Sequence, residues 1–375
     1  MAKITDEGVT QPLPPSLTPR PVRARRTRRR VARGALVTFI LVAVLLAGSG
    51  AYAYFRLTAT VTNFAGPHFN SNSNAVWLEH AWSGEPQSAA AYDALAAQLQ
   101  REQIRYVYAH VGPLASDGTI PPSLAPYAAD LAAALHDRIP DVKVLAWIGQ
   151  LEAASGAPAD ETVDLAQSAV RGAIVGTADD FVRKYGFDGV HYDIEPIRNN
   201  NPHFLDLLIE TRSSLPAGAL ISVSAQKWAP NAHLADLLYR AGRGGQWWTS
   251  YYFAAVAAHV DQLAVMTYDS GAPTAQAYEI FVQQETKHIL AAVRTARRPP
   301  EVLIGVPTYN GDNAWFHQSA ENMRTGLLGV IAGLNSDDET QPFAGVAIYR
   351  MAVTSDADWR TYDELWLGES TQARA

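Results

Sequence analysis

Residues 187–196 read FDGVHYDIEP, an apolar run that predicts a buried strand, yet His191, Asp193 and Glu195 stand at alternate positions in it. Side chains alternate across a strand, so these three share one face and Val190, Tyr192 and Ile194 share the other. The apolar face can pack against helices, which turns the polar one toward the inside of the sheet. Acids at strand ends also cap helices or pair with arginines, but three ionisable residues in one file are costly to desolvate. Stacked carboxylates raise one another's pKa, so Glu195, the last of the file, is the candidate general acid. Asp188 has the opposite parity and is read as structural, bonding the turn at Gly186 or Gly189.

Seven further runs rich in β-branched and aromatic residues flank this one: 75–81, 104–111, 142–149, 219–225, 262–269, 301–309 and 344–351. Helical segments are expected between them near 88–102, 123–137, 161–185, 203–214, 246–257, 276–296 and 318–334. Alternation of strand and helix argues for parallel pairing through right-handed crossovers. Eight such units predict an α/β fold of the (β/α)₈ TIM-barrel type. An open doubly wound sheet is the runner-up, but no glycine-rich phosphate loop follows an early strand.

The N-terminus differs in kind. Residues 1–34 are proline-rich and carry RARRTRRRVARG, as a basic cytoplasmic arm would. Ala35–Phe55 is an uncharged stretch of 21 residues, about the roughly 20 needed to span a bilayer. The arginines then lie inside and the rest of the chain outside. The adopted reading is a single transmembrane signal anchor, with a secreted form cleaved near Ala51-Tyr52-Ala53 as the alternative. Residues 56–74 form a linker, 75–368 the barrel domain and 369–375 a tail.

Residues 1–56 hold ten of the 30 basic and two of the 37 acidic residues, which leaves the remainder near −15. That charge opposes nucleic-acid binding. The chain has no cysteine, which rules out disulfides and thiolate chemistry. It has neither a zinc-type histidine spacing nor a G-x-S-x-G elbow, so no metal and no ordinary serine hydrolase is expected.

In a barrel, reacting groups gather where strands end. Candidates there are Trp77, Glu79, His80 and Trp82 after the first run, Tyr108 and His110 on the second, and Trp147, Gln150 and Glu152 on the third. Gln226, Lys227 and Trp228 follow the fifth, Tyr268 and Asp269 end the sixth, and Tyr309, Asn310 and Asp312 follow the seventh. Arg350, on the eighth, is expected to pair with an acid of the site.

Asp188-Gly-Val-His191-Tyr-Asp193-Ile-Glu195 resembles the D-G-x-D-x-D-x-E signature of glycoside hydrolase family 18, the chitinases and endo-N-acetylglucosaminidases, where it forms the fourth barrel strand. Met266-Thr267-Tyr268-Asp269 resembles the family's M-x-Y-[DN] segment. The resemblance implies a glycosidase that retains anomeric configuration and acts on a glycan containing N-acetylhexosamine, without metal or cofactor. It implies Glu195 as general acid and base, Asp193 as the group that orients the acetamido substituent, and Tyr268 as its hydrogen-bond partner. Asp269, with His191, Trp77, Glu79, Tyr108, Trp147, Gln226, Tyr309 and Arg350, would line the sugar site. The chain departs from the family at His191, which replaces the first acid of the triplet. It also lacks S-x-G-G after the third run and a tryptophan ending the eighth. Two alternatives stand beside this reading: a non-catalytic carbohydrate-binding barrel, and a barrel glycosidase using two protein carboxylates.

Overall fold

The structure is a computed structural model that describes residue 48 and residues 69–240, 247–311, 316–337 and 339–368. All eight apolar runs are extended: β1 (Asn74–Leu78), β2 (Ile104–Pro113), β3 (Lys143–Glu152), β4 (Gly189–Glu195), β5 (Leu220–Ala225), β6 (Gln262–Val265), β7 (Glu301–Pro307) and β8 (Phe343–Tyr349). Each pairs in parallel with the next, and β8 pairs with β1, closing the sheet. This is the expected (β/α)₈ barrel. The segments expected to be a basic arm (1–34), a transmembrane anchor (35–55, Gly48 apart) and a tail (369–375), with residues 56–68 of the expected linker and Asp312, lie outside the described residues. Among those described, no helix is long and apolar enough to cross a membrane.

The helices are α1 (Ala81–Gly84), α2 (Ala89–Arg101), α3 (Ala128–Arg138), α4 (Ser168–Arg183), α5 (Pro202–Ser214), α6 (Ala232–Leu238), α7 (Ser250–Ala257), α8 (Ala275–Val293), α9 (Met323–Asn335) and α10 (Asp356–Tyr362). Several begin later than the sequence suggests, for local reasons. Thr162–Val163 adds to the end of β3, so α4 cannot start before Ser168. Trp247–Thr249 pairs with Lys227–Ala229, and Thr249 then caps α7 through its hydroxyl. Asn322 and Thr325 form a capping box that fixes the start of α9.

Two apolar layers hold the barrel. Val190, Tyr192 and Ile194 belong to the large layer between strands and helices, and the Tyr192 hydroxyl reaches Thr211 Oγ1 on α5 at 2.8 Å. Inside the barrel, Ala75, Trp77, Tyr106, Tyr108, Leu145, Ala264, Leu303 and Ala347 form a second, smaller cluster. Gly189 is dictated by the closeness of β4 and β5, because a Cβ there would lie 2.1 Å from the Leu220 carbonyl oxygen. Asp188 accepts from Lys143 Nζ (2.8 Å), His136 Nε2 (2.8 Å) and the Val144 amide (2.9 Å). It is structural, as its parity indicates, but it ties β4 to β3 and its neighbouring helix rather than bonding a glycine turn.

Candidate active site

The polar file of β4 climbs from the barrel interior to its mouth. His191 is fully buried, while Asp193 and Glu195 are half-buried where the strands end. Parallel register sets Trp147 beside His191, Gly149 beside Asp193 and Leu151 beside Glu195 on β3, and Ser222 beside His191 on β5.

His191 is enclosed by hydrogen bonds and rings. Trp77 Nε1 donates to its Nε2 at 3.1 Å, and its Nδ1 lies 2.8 Å from Ser222 Oγ. An indole N–H can only donate, so Nε2 carries a lone pair and the proton sits on Nδ1, pointing at Ser222. Ser222 passes its own hydrogen to Gln262 Oε1 (3.0 Å), which also accepts from the Tyr108 hydroxyl (2.5 Å). The Tyr108 ring stacks on the imidazole at 3.8 Å between centroids. Burial pushes the imidazole down to about 3, so it is neutral at ordinary pH. Trp77 and Tyr108 therefore lie beneath the mouth, with their ring faces and polar atoms engaged by His191 and its partners.

Asp193 Oδ2 accepts from Trp147 Nε1 at 2.8 Å, whereas its Oδ1 is a buried acceptor with no donor. Burial raises the Asp193 pKa, and the Ser224 hydroxyl and the Trp147 indole work against that rise. Glu195 Oε1 accepts from Gln226 Nε2 at 3.3 Å, and the Gln226 amide oxygen is likewise buried without a donor. Burial first, then the neighbouring Asp193 charge, push Glu195 up to about 8, against the pull of Lys227 and Gln226. One carboxyl able to hold a proton at neutral pH thus stands beside a second carboxyl with an open acceptor.

The sixth-strand segment closes the far side. Tyr268 is buried and lies parallel to Tyr349 at 4.9 Å, while Tyr309 donates through its hydroxyl to Asp269 Oδ1 at 2.6 Å. Tyr349, the last residue of β8, also meets Trp77 edge-on at 5.5 Å. Glu79 sits at the rim and accepts from the Ala352 amide at 2.6 Å; burial raises its pKa, and nearby Arg350 opposes this without forming an ion pair among the described residues. Gln150 donates to the Leu114 carbonyl at 2.5 Å and Glu152 caps Ala154 at 2.6 Å, which commits both to loop structure. His80 and His110 meet each other edge-on at 5.2 Å, and His110 packs against Trp147 at 4.7 Å. Asn310 accepts from Gln318 at 2.6 Å on the surface.

Several members had no separate place in the sequence reading. Ser222 and Ser224 alternate in ISVSA with the same period as the β4 file, a legible signal of a polar inner face. Glu285 is an acid within the buried stripe of α8, together with Tyr278, Val282 and Ile289. A cavity of about 540 Å³ lies at the other end of the barrel, lined by strand starts such as Lys143, Leu220 and Glu301, away from this chemistry.

A sequence model described as Glycosyl hydrolases family 18 matches residues 81–369. No curated protein matches the chain. Among solved structures, the chain is similar to the spore cortex-lytic enzyme SleL of Bacillus cereus, at 13% identity over 78% of this chain and 74% of that one, with a TM-score of 0.53. It is similar to a chitinase from Bacteroides thetaiotaomicron at 14% identity over 81% and 98%, with a TM-score of 0.52. A family GH18 chitinase from Cycas revoluta, solved in a complex with allosamidin, aligns at 15% identity over 78% and 99%, with a TM-score of 0.52. At such identities the likeness establishes the fold.

Proposed function

The chain belongs to glycosyl hydrolases family 18, and from that premise we propose that it cleaves a glycan containing N-acetylhexosamine by a retaining, substrate-assisted mechanism. Glu195 gives its proton to the glycosidic oxygen as the anomeric C–O bond breaks, and the substrate's acetamido oxygen forms the new bond to that carbon. In the second step the Glu195 carboxylate takes a proton from water, which attacks the same carbon as its bond to the acetamido oxygen breaks, so the oxazolinium ring opens and configuration is retained. Asp193 orients the acetamido group by accepting its N–H and balances the positive oxazolinium. Tyr268 bonds the acetamido oxygen, and Asp269 and Tyr309 line the subsite.

The observation that carries this reading is the pairing on β4. Burial and then the Asp193 charge push Glu195 up to about 8, so it holds a proton at neutral pH. Two residues away, Asp193 keeps Oδ1 without a donor while Trp147 holds Oδ2. His191, neutral and capped on both nitrogens, adds no charge beneath Asp193. The replacement of an acid by His191 is thus compatible with activity: burial raises the Asp193 pKa, and the Ser224 hydroxyl and the Trp147 indole favour its carboxylate form.

The substrate class follows from the same reading together with the neighbours, which include chitinases and a spore cortex-lytic enzyme. Chitin oligomers and peptidoglycan fragments are the leading candidates. We place the catalytic domain, residues 75–368, outside the cell, held by a single-pass anchor at Ala35–Phe55 with the basic arm inside and a linker between. Carbonate extraction of membranes, combined with protease digestion of intact cells, tests that placement.

Hydrolysis of a chromogenic N-acetylglucosamine oligomer tests the function. Glu195→Gln is expected to lose about 10²–10⁴-fold in kcat. Undiminished turnover by that variant overturns the assignment. Cleavage of a non-acetylated glycoside, with no binding of an oxazoline-type inhibitor, favours a two-carboxylate mechanism instead.

A further inference from the structure

Beneath the mouth lies a buried cation to which the proposed chemistry gives no role. Lys227, two residues past the end of β5, is only 3% exposed. Burying an ammonium is expensive unless opposite charges surround it. Burial lowers the Lys227 pKa, and the charges of four carboxyl groups oppose that fall: Asp269 after β6, Glu195 at the end of β4, Glu285 on α8 and Glu321 ahead of α9.

Each of these acids is fixed by a contact of its own. Gln226 donates to Glu195 at 3.3 Å, and the Trp228 amide donates to Glu285 at 2.7 Å, so the two residues flanking Lys227 hold two of the four. Tyr309 holds Asp269 at 2.6 Å. Glu321 accepts from the Ser270 amide (3.2 Å), the Ser270 hydroxyl (2.9 Å) and the Gly271 amide (3.1 Å). The cluster joins five separate segments of the chain around one cation. Glu195 itself faces the anions Asp193 and Asp269 and the cation Lys227.

We propose that Lys227 is a positioning residue for the hydrolysis: its buried ammonium, flanked by the residues that hold Glu195 and Glu285, is the counter-ion of the carboxyl cluster to which Glu195 belongs. This rests on the assignment of Glu195 as general acid and base. The residue must give a proton in the first step and, as carboxylate, take one in the second. A pKa near the working pH serves both. Burial and Asp193 drive the Glu195 proton affinity upward, and Lys227 is the opposing charge that stops the rise.

The test is a ¹³C NMR titration of the glutamate side-chain carboxyls in the full chain, with the Glu195 resonance assigned by its loss in Glu195→Gln. In Lys227→Met the Glu195 midpoint is expected to rise by roughly one pH unit, as removal of a nearby opposite charge does. In Lys227→Arg it returns toward the wild-type value. The basic limb of kcat/KM moves in the same direction. Should the methionine variant fail to fold, Lys227→Met/Glu285→Gln removes one carboxyl with the cation and carries the same expectation. An unchanged midpoint in the methionine variants overturns the proposal, as does an arginine variant that shifts as far as the methionine one. A chain that hydrolyses nothing, yet whose Glu195 midpoint follows Lys227, sinks the functional reading and leaves the charge coupling standing.

Discussion

The indole nitrogen of Trp77 donates across 3.1 Å to Nε2 of His191, and the direction of that bond fixes the imidazole as the neutral Nδ1–H form. What stands beneath Asp193 is therefore a neutral donor and acceptor rather than a second acid. Its role is carried through neighbours: Ser222, Ser224 and Tyr108.

A neutral buried histidine makes a prediction about acid. The folded value, about 3, lies below the ordinary 6.5, so the native state binds fewer protons in between. Stability from this group is present above about pH 6.5 and is lost as pH falls toward 3. His110, lowered to about 4 by burial first and by His80 second, acts in the same sense. Thermal melts between pH 7 and pH 4 should show a shallower decline in His191→Asn than in wild type, and imidazole ¹⁵N shifts should show no His191 midpoint near 6.5.

Trp147 is the donor that holds Asp193 Oδ2 at 2.8 Å. A hydrogen bond to a charged group contributes about 1.5–3 kcal/mol, so Trp147→Phe is expected to lower kcat/KM roughly 10- to 100-fold. The fold should survive, because a phenyl ring keeps the site aromatic while removing the N–H donor. Steady-state kinetics with an N-acetylglucosamine oligomer measure the effect, and an unaltered kcat/KM removes Asp193 from its proposed role.

The pH profile should mark Glu195. A general acid must carry its proton, so kcat/KM falls as pH rises through about 8, the value to which burial and Asp193 push this carboxyl. A basic limb two or more units lower, near an ordinary carboxylate, points to a different acid.

Away from the site, Glu102 is buried beside Asp363 under the barrel, and burial first, then Asp363, raise it to about 7. Its folded value exceeds the ordinary 4.5, so its contribution is full below about 4.5 and is lost as pH rises through about 7. Glu102→Gln, which imitates the protonated form, should raise Tm by about 2–4 °C at pH 8 and leave it unchanged near pH 4.5. Differential scanning calorimetry at the two pH values decides it.

The barrel was readable because its strands are apolar on both faces and separated by helical segments, a pattern written in consecutive residues. The β4 file was readable for the same reason, since His191, Asp193 and Glu195 interrupt a strand at period two. The three-residue strands at Lys227–Ala229 and Trp247–Thr249 and the seven-residue helix α6 are too short to show a period. The Lys227 cluster lies beyond sequence reading for a different reason. Its members, at positions 195, 227, 269, 285 and 321, meet only when the barrel closes. Tyr349 shows a related limit: the missing tryptophan is visible in the sequence, but not that the tyrosine at the end of β8 stacks on Tyr268 after β6.

The most direct test of the central claim follows product anomers by ¹H NMR while the full chain acts on chitin oligomers, peptidoglycan fragments and N-glycans. The account predicts cleavage next to an N-acetylhexosamine, with the retained anomer formed first and with turnover by Glu195→Gln lower by about 10²–10⁴-fold. Inverted product, cleavage confined to sugars without the acetamido group, or failure to hydrolyse any of the three classes would contradict it.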